Sequence, residues 1–178
     1  MLTKQYRQML EAMHRDPALK WGNDGKHHIT AVVNLAQRVQ AKTLLDFGCG
    51  RSTLSKTIKF YGYPLRCTDY DPGRPKKANL PKELFDIVTC TDVLEHVEPE
   101  HLDNVLNAIA LRTDKAAYFV IDTVEAKTVL PDGRNAHLIV KPAEWWLKKL
   151  RTYYPKDFWW ERAEYTPKKL TVELVCNG

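Results

Sequence analysis

Four stretches of this 178-residue chain carry residue types that do chemistry. The first is Asp46-Phe47-Gly48-Cys49-Gly50, after the apolar Leu44-Leu45 and before a helical pattern. Glycines there let the backbone turn tightly and admit a ligand to the main chain. The helix that follows opens with free N–H groups. The spacing is D-x-G-x-G. Thr53 stands where a dinucleotide fingerprint needs its third glycine, and no G-K-[ST] follows as in a phosphate loop.

The second stretch holds Asp69, Tyr70 and Asp71 at the end of a strand-like run, where an acid can accept hydrogen bonds from vicinal ribose hydroxyls. Either Asp69 or Asp71 fits that role, and a solvated acidic turn fits the pair as well. The third is FDIVTCTDVLEH, Phe85 to His96. Thr91-Asp92 fall at the carboxyl end of its strand, where polar side chains meet the charged ends of an amino-acid ligand. Glu95 and His96 equally suit a helix start. The fourth is DGRNAH, Asp132 to His137. Arg134 there is suited to clamping an anion, and His137 to taking a proton from an attacking hydroxyl or amine. A loop arginine and a packing histidine are the plainer reading of that pair.

These segments need a frame. Leu2, Tyr6, Met9, Leu10 and Met13 fall at helical spacing, and Ile29, Val32, Val33, Ala36 and Val39 do so again. WGNDG between them reads as a turn. Thereafter strand-like runs alternate with helical ones: TLLDFG, then Leu54 to Tyr61; PLRCTDYDP; FDIVTCTDV, then EHLDNVLNAIALR; AAYFVIDTV, then AEWWLKKL. DFWWERAEY and KLTVELVC close the chain across a short gap. The alternation predicts an α/β fold: a doubly wound, mostly parallel Rossmann-like sheet with an antiparallel final strand and two N-terminal helices. At this length one domain is expected, with residues 1–40 as a helical cap and 41–178 as the α/β core.

Together the first three stretches resemble the class I S-adenosylmethionine-dependent methyltransferase family, over roughly Leu44 to Val124. LLDFGCGRS is similar to that family's first motif, with Ser52 in place of its last glycine. CTDYDP is similar to the second motif, and ANLPKELFDIVTCTDVLEHV to the third and fourth. The resemblance implies S-adenosyl-L-methionine as cofactor and S-adenosyl-L-homocysteine as product. It implies cofactor contacts from Asp46, Phe47, Gly48, Cys49, Gly50, Asp69, Tyr70, Asp71, Asn79, Leu80, Thr91, Asp92, Val93 and His96. Ala78-Asn79-Leu80 would lie along the adenine, and Thr91-Asp92 near the methionine moiety. Arg134 and His137 would stand on the acceptor side as the catalytic candidates. One departure is plain: 13 residues separate Asp71 from Phe85, with Pro72, Pro75 and Pro81 among them. The family's helix there must be missing or vestigial, and its edge strand short.

Apolar content of 44% and charged content of 28% suit an ordered soluble protein. Cys49, Cys67, Cys90 and Cys176 form no C-x-x-C pair and no zinc-type cluster, so reduced thiols, no metal and a cytoplasmic setting are expected. No run of 18 apolar residues suggests a membrane span. The net charge is +5, with eight basic and four acidic residues between Lys141 and Leu170. There Trp145, Trp146, Tyr153, Tyr154, Trp159 and Trp160 interleave with Lys148, Lys149, Arg151 and Lys156, a pattern that can bind single-stranded nucleic acid. Core packing with a solvated face explains it more simply. The expected acceptor is therefore a small molecule or sugar, methylated on oxygen or nitrogen. Nucleic acid is the second acceptor class. A protein that binds the cofactor without transferring its methyl, or one that cleaves it, is the alternative of another kind. Lys26-His27-His28 completes the inventory, as a helix start with a histidine that could line a lid.

Overall fold

A computed structural model describes residues 2–154 and 158–176. A first helix, α1 (Lys4–Arg15), is capped by Thr3, whose side chain accepts from the backbone N–H of Tyr6. A 3-10 turn, Asp24–His28, leads into α2 (Ile29–Arg38). The core follows as β1 (Thr43–Phe47), α3 (Thr53–Phe60), β2 (Arg66–Tyr70), β3 (Phe85–Thr91), α4 (Leu102–Ala110), β4 (Thr113–Asp122), α5 (Ala143–Tyr153), β5 (Phe158–Tyr165) and β6 (Lys169–Cys176).

The six strands form one sheet in the order β2-β1-β3-β4-β6-β5. Strands β1 to β4 are parallel, and β6 runs antiparallel to both β4 and β5. This is the expected doubly wound sheet with its antiparallel last strand.

Alternate strand residues face opposite layers. Leu45, Val88, Cys90, Ala117 and Phe119 pack with α4 and α5, where Trp146 and Leu150 are fully buried. Leu44, Ile87, Ala116 and Tyr118 pack with α2 and α3 through Val32, Leu35, Leu54 and Ile58. Burial on both faces explains why these strands read as near-continuous apolar runs.

One expectation is corrected. Between Asp71 and Phe85 the described residues contain a single 3-10 turn, Pro75–Lys77, and no edge strand, so β2 is itself the sheet's edge. The prolines lack the N–H groups that a ladder needs. What remains is too short for a crossover helix and a returning strand.

The α1 helix does not join the sheet. Tyr6, Leu10 and Met13 pack on Leu130 and Ala136, in the loop between β4 and α5. The Tyr6 hydroxyl donates to the His96 carbonyl at 2.6 Å. The Glu98 carboxylate accepts from both the Thr3 N–H and the Thr3 hydroxyl, at 2.8 and 2.7 Å. The helix is thereby fixed across the carboxyl ends of the parallel strands.

Candidate active site

The carboxyl ends of β1 to β4 and the N-terminal helices enclose a cavity of about 710 Å³. Open α/β sheets bind ligands at this end, and the volume lies within the range of small-molecule sites.

The floor is the turn after β1. Gly48 and Gly50 have φ of +81° and +51°. A Cβ on Gly48 would run into Val93, and one on Gly50 would stand 2.5 Å from the Gly22 carbonyl oxygen. Both positions therefore need glycine for space as well as for backbone freedom. The N–H groups of Gly48 and Cys49 donate to the Tyr70 carbonyl at 2.7 and 3.0 Å. Ser52, two residues after Gly50 where the resembled first motif has its last glycine, takes φ +58° and is the N-cap of α3.

The two acids after β2 have separate places. Asp71 is buried and lines the cavity. Its two oxygens accept from the Gly50 and Gly73 N–H groups at 2.8 Å each, and His14 Nε2 lies 3.6 Å away. Asp69 is not among the lining residues; it pairs with Lys77, which also donates to the Ser52 hydroxyl. Asp46, at the end of β1, is buried and accepts from the Thr89 hydroxyl at 3.1 Å. Burial, with Asp69 and Asp71 nearby, raises its carboxyl to about 7.

At the end of β3, Asp92 has the left-handed φ of +55°, a strained conformation of the kind that clusters at functional sites. Its carboxylate meets Lys169 Nζ at 2.5 Å and His28 Nε2 at 3.4 Å. Burial alone would raise this carboxyl; His28 and Lys169 outweigh it and hold the group below the usual range. Lys169 also reaches Asp122 at 3.1 Å. Burial opposes the Lys169 charge, but the Asp92 and Asp122 carboxylates raise the ammonium to about 12.

The cavity wall also holds two imidazoles. His96 and His137 stack edge to face with centroids 4.8 Å apart, and Trp21 meets His96 at the same separation. His96 Nδ1 lies 2.7 Å from the Ala136 carbonyl, and His137 Nδ1 lies 2.5 Å from that of Val124. A carbonyl only accepts, so both Nδ1 atoms carry hydrogen, and in a neutral ring the lone pair is then on Nε2. Burial, the main cause, lowers the His96 imidazole to about 4. His137 Nε2 stands 3.8 Å from Asp122.

Of the residues expected from sequence, Asp46, Phe47, Gly48, Cys49, Gly50, Tyr70, Asp71, Thr91, Asp92, Val93, His96 and His137 line this cavity. Asp69, Asn79, Leu80 and Arg134 do not. Arg134 pairs with Asp132 at 2.7 Å and lies over the Tyr6 ring. Sequence reasoning passed over Tyr6, His14, Trp21 and Asp122, and favoured a helix-start role for the lining residue His28. Asp122 and Lys169 are cross-strand partners in the antiparallel β4–β6 register, which no local pattern reveals. The basic aromatic stretch mostly does other work. Trp146 is core and Lys149 pairs with Asp103, while Lys156 and the Trp159 and Trp160 side chains lie outside the described residues.

With this geometry in view, the matches to known proteins are consistent with it. The family model described as "Methyltransferase domain" matches residues 16–164, and the chain belongs to that family. A comparison with curated protein sequences finds no match. Among solved structures, the mitomycin 7-O-methyltransferase MmcR superposes with a TM-score of 0.63 at 14% identity, over 96% of this chain and 61% of its own. The 1,6-didemethyltoxoflavin-N1-methyltransferase of Burkholderia thailandensis, solved with 1,6-didemethyltoxoflavin and S-adenosylhomocysteine, gives 0.61 at 14% identity over 98% and 90%. The magnesium protoporphyrin IX methyltransferase ChlM of Synechocystis PCC 6803, solved with S-adenosylmethionine, gives 0.55 at 16% identity over 95% and 90%. At these identities the likeness is one of fold. The chain spans less than two thirds of the length of MmcR.

Proposed function

We propose that this protein transfers a methyl group from S-adenosylmethionine to a small-molecule oxygen or nitrogen acceptor. The observation that carries this reading is one cavity lined by two chemically different sets of groups. Gly48, Gly50, Asp71 and Thr91–Val93 are one set; Trp21, His96, Asp122 and His137 are the other. The first set fits the cofactor and the second the acceptor. Two glycines bring the main chain to the cavity wall, and the Asp71 carboxylate is there to accept from ribose hydroxyls. Asp71 is favoured over Asp69 for that task because it lines the cavity and Asp69 does not. Thr91 and Asp92 serve the polar end of the methionine moiety. When bound, the cofactor supplies an activated methyl on a sulfonium.

The chain's own residues then have mainly to position the acceptor and exclude water. Helix α1 and Trp21 roof the cavity, with residues 1–40 as the cap and 41–178 as the core. His137 presents its Nε2 to the acceptor. A cavity roofed in this way suits a small molecule better than a polymer. The basic C-terminal stretch is in part drawn inward, since Lys168 and Lys169 line the cavity and Lys169 is paired there.

Calorimetry with S-adenosylhomocysteine tests the cofactor half. The wild type is expected to bind, and Asp71→Ala to bind at least ~10-fold more weakly, the loss of one charge-assisted contact. Unchanged affinity in the variant would count against the assignment. Incubation with methyl-labelled cofactor and cell extract tests transfer: label should pass to a low-mass fraction. Binding with no transfer would favour a non-catalytic binder, and product release without any acceptor would favour cofactor cleavage.

A further inference from the structure

The acceptor set contains more ligating chemistry than methyl transfer requires. One donor atom each from Glu95, His96 and His137 lie within 4.8 Å of one another. We propose that these three side chains bind a divalent transition-metal ion, which would hold an acceptor oxygen beside the methyl group. The ion's role rests on the methyl-transfer reading; the site itself rests on the ligands.

Three observations converge. First, each imidazole gives its Nδ1–H to a backbone carbonyl, Ala136 for His96 and Val124 for His137, which leaves Nε2 as the nitrogen for coordination; Asp122 stands 3.8 Å from that of His137. That is how proteins orient histidines for a metal. Second, Glu95 is fully buried, and one of its oxygens accepts the Asp122 N–H at 2.9 Å while the other, Oε2, has no partner. An unsatisfied buried carboxylate oxygen is costly, and a cation would satisfy it. Third, the neighbouring charges are already matched. Asp92, Glu95 and Asp122 form a second set of close donors, but Lys169 bridges Asp92 and Asp122, and His28 also faces Asp92. Among the described residues no lysine or arginine pairs with Glu95, so the two imidazoles with Glu95 are the set with room for a cation.

The chemistry of the donors selects the ion. Two imidazoles and one carboxylate suit Zn²⁺, Mn²⁺ or Fe²⁺ rather than the all-oxygen shells of Mg²⁺ and Ca²⁺. Tetrahedral bonds of about 2.1 Å set donors roughly 3.4 Å apart, so a pair at the 4.8 Å limit closes by about 1.4 Å on binding. His96, His137 and Asp122 line the cavity, so the remaining positions face it and can take water or an acceptor hydroxyl. Three protein ligands with an open position mark a catalytic rather than a structural site. His137 is then a ligand, not a base. The bound hydroxyl is acidified and gives its proton to solvent. Its oxygen forms the new O–CH3 bond as the CH3–S bond breaks, and the electron pair stays on sulfur as a neutral thioether.

The test uses the full chain, stripped with a chelator. Titration with Mn²⁺ followed by electron paramagnetic resonance, and with Zn²⁺ by calorimetry, should show one saturable site. Pulsed resonance of the Mn²⁺ form should show modulation from two imidazole nitrogens. His96→Ala and His137→Ala should each weaken binding at least ~10-fold. Glu95→Gln, nearly isosteric and checked by circular dichroism, should weaken it while leaving the fold intact. No saturable uptake, absent nitrogen modulation, or affinities within twofold of wild type in both histidine variants would overturn the proposal. S-adenosylhomocysteine binding by the metal-free protein is measured separately. Its loss with metal binding intact would overturn the cofactor reading and leave the metal site standing.

Discussion

Asp46 is the residue where the sequence motif and the fold make different demands. The D-x-G-x-G spacing marks it as part of a ligand turn, and it does line the cavity. The parallel register also sets it directly beside Asp69, in a buried position. Burial first, and then the neighbouring Asp69 and Asp71, disfavour its charge, so the Asp46 proton stays on until about pH 7, against 3.8 for the ordinary group. The folded chain therefore holds a proton between those values that the unfolded chain has lost. Its stabilising contribution is full below about pH 4, declines as pH rises, and is gone above about 7. At about 1.4 kcal/mol per unit, the span corresponds to at most ~4 kcal/mol. Asp46→Asn imitates the protonated form and still accepts from Thr89. Denaturant unfolding at pH 5 and pH 8 should show the wild type losing stability relative to the variant as pH rises. Parallel pH profiles would refute the protonated state. The motif revealed that Asp46 belongs to the turn. It could not reveal the neighbour, because strand register is a property of the sheet.

At the scale of elements, Arg51 joins what the sequence leaves separate. It follows Gly50, and its side chain donates to the carbonyls of Asp16, Leu19 and Trp21 at 3.0–3.1 Å. Its backbone N–H donates to Gly22 at 2.8 Å. The segment between α1 and the 3-10 turn is thus tied to the ligand turn by one residue, and Trp21 is carried to His96. Arg51→Ala keeps the backbone bond and removes the three from the side chain. Charged hydrogen bonds contribute about 1.5–3 kcal/mol each, less where solvent replaces them, so a loss of about 1–3 kcal/mol is expected. Hydrogen exchange should quicken in residues 16–22 while α4 and β4 are unaffected. Uniform quickening would mean that the arginine stabilises the whole core instead. The helices and strands themselves were readable because each carries its own period: 3.6 in Leu54 and Ile58, near-continuous apolar character in Phe85–Thr91. The missing edge strand was readable only in part. Three prolines and 13 residues announced a shortened connection, but whether a short strand survived depended on pairing with β2, which has no local signature.

The whole molecule closes its cavity with a helix that is not part of the sheet, and this sets how a ligand must enter. Helix α1 is held by Tyr6 on His96, by Thr3 on Glu98, and by an apolar contact of Tyr6, Leu10 and Met13 on Leu130 and Ala136. That contact is small beside the two-sided core around β3 and β4. Elements with few buried apolar contacts open first, so the roof should open at a lower free energy than the sheet. Leu2, Tyr6, Leu10, His14 and Trp21 all line the cavity, so a molecule filling it touches the roof as well as the floor. A ligand that binds the closed form stabilises that form by mass action. Hydrogen exchange with and without S-adenosylhomocysteine should therefore show slowing concentrated in residues 4–28 and in 46–50. Helix α5 packs on the far layer, lines none of the cavity, and should not change. The sequence offered the N-terminal helices as a cap, yet the residues that make the roof a wall of the site lie at ordinary helical or turn positions. Only the convergence of α1, the Gly22 turn and the β4–α5 loop gives them a function. Slowing spread evenly over the chain, α5 included, would show that the ligand tightens the whole fold and that α1 is not a separately opening lid.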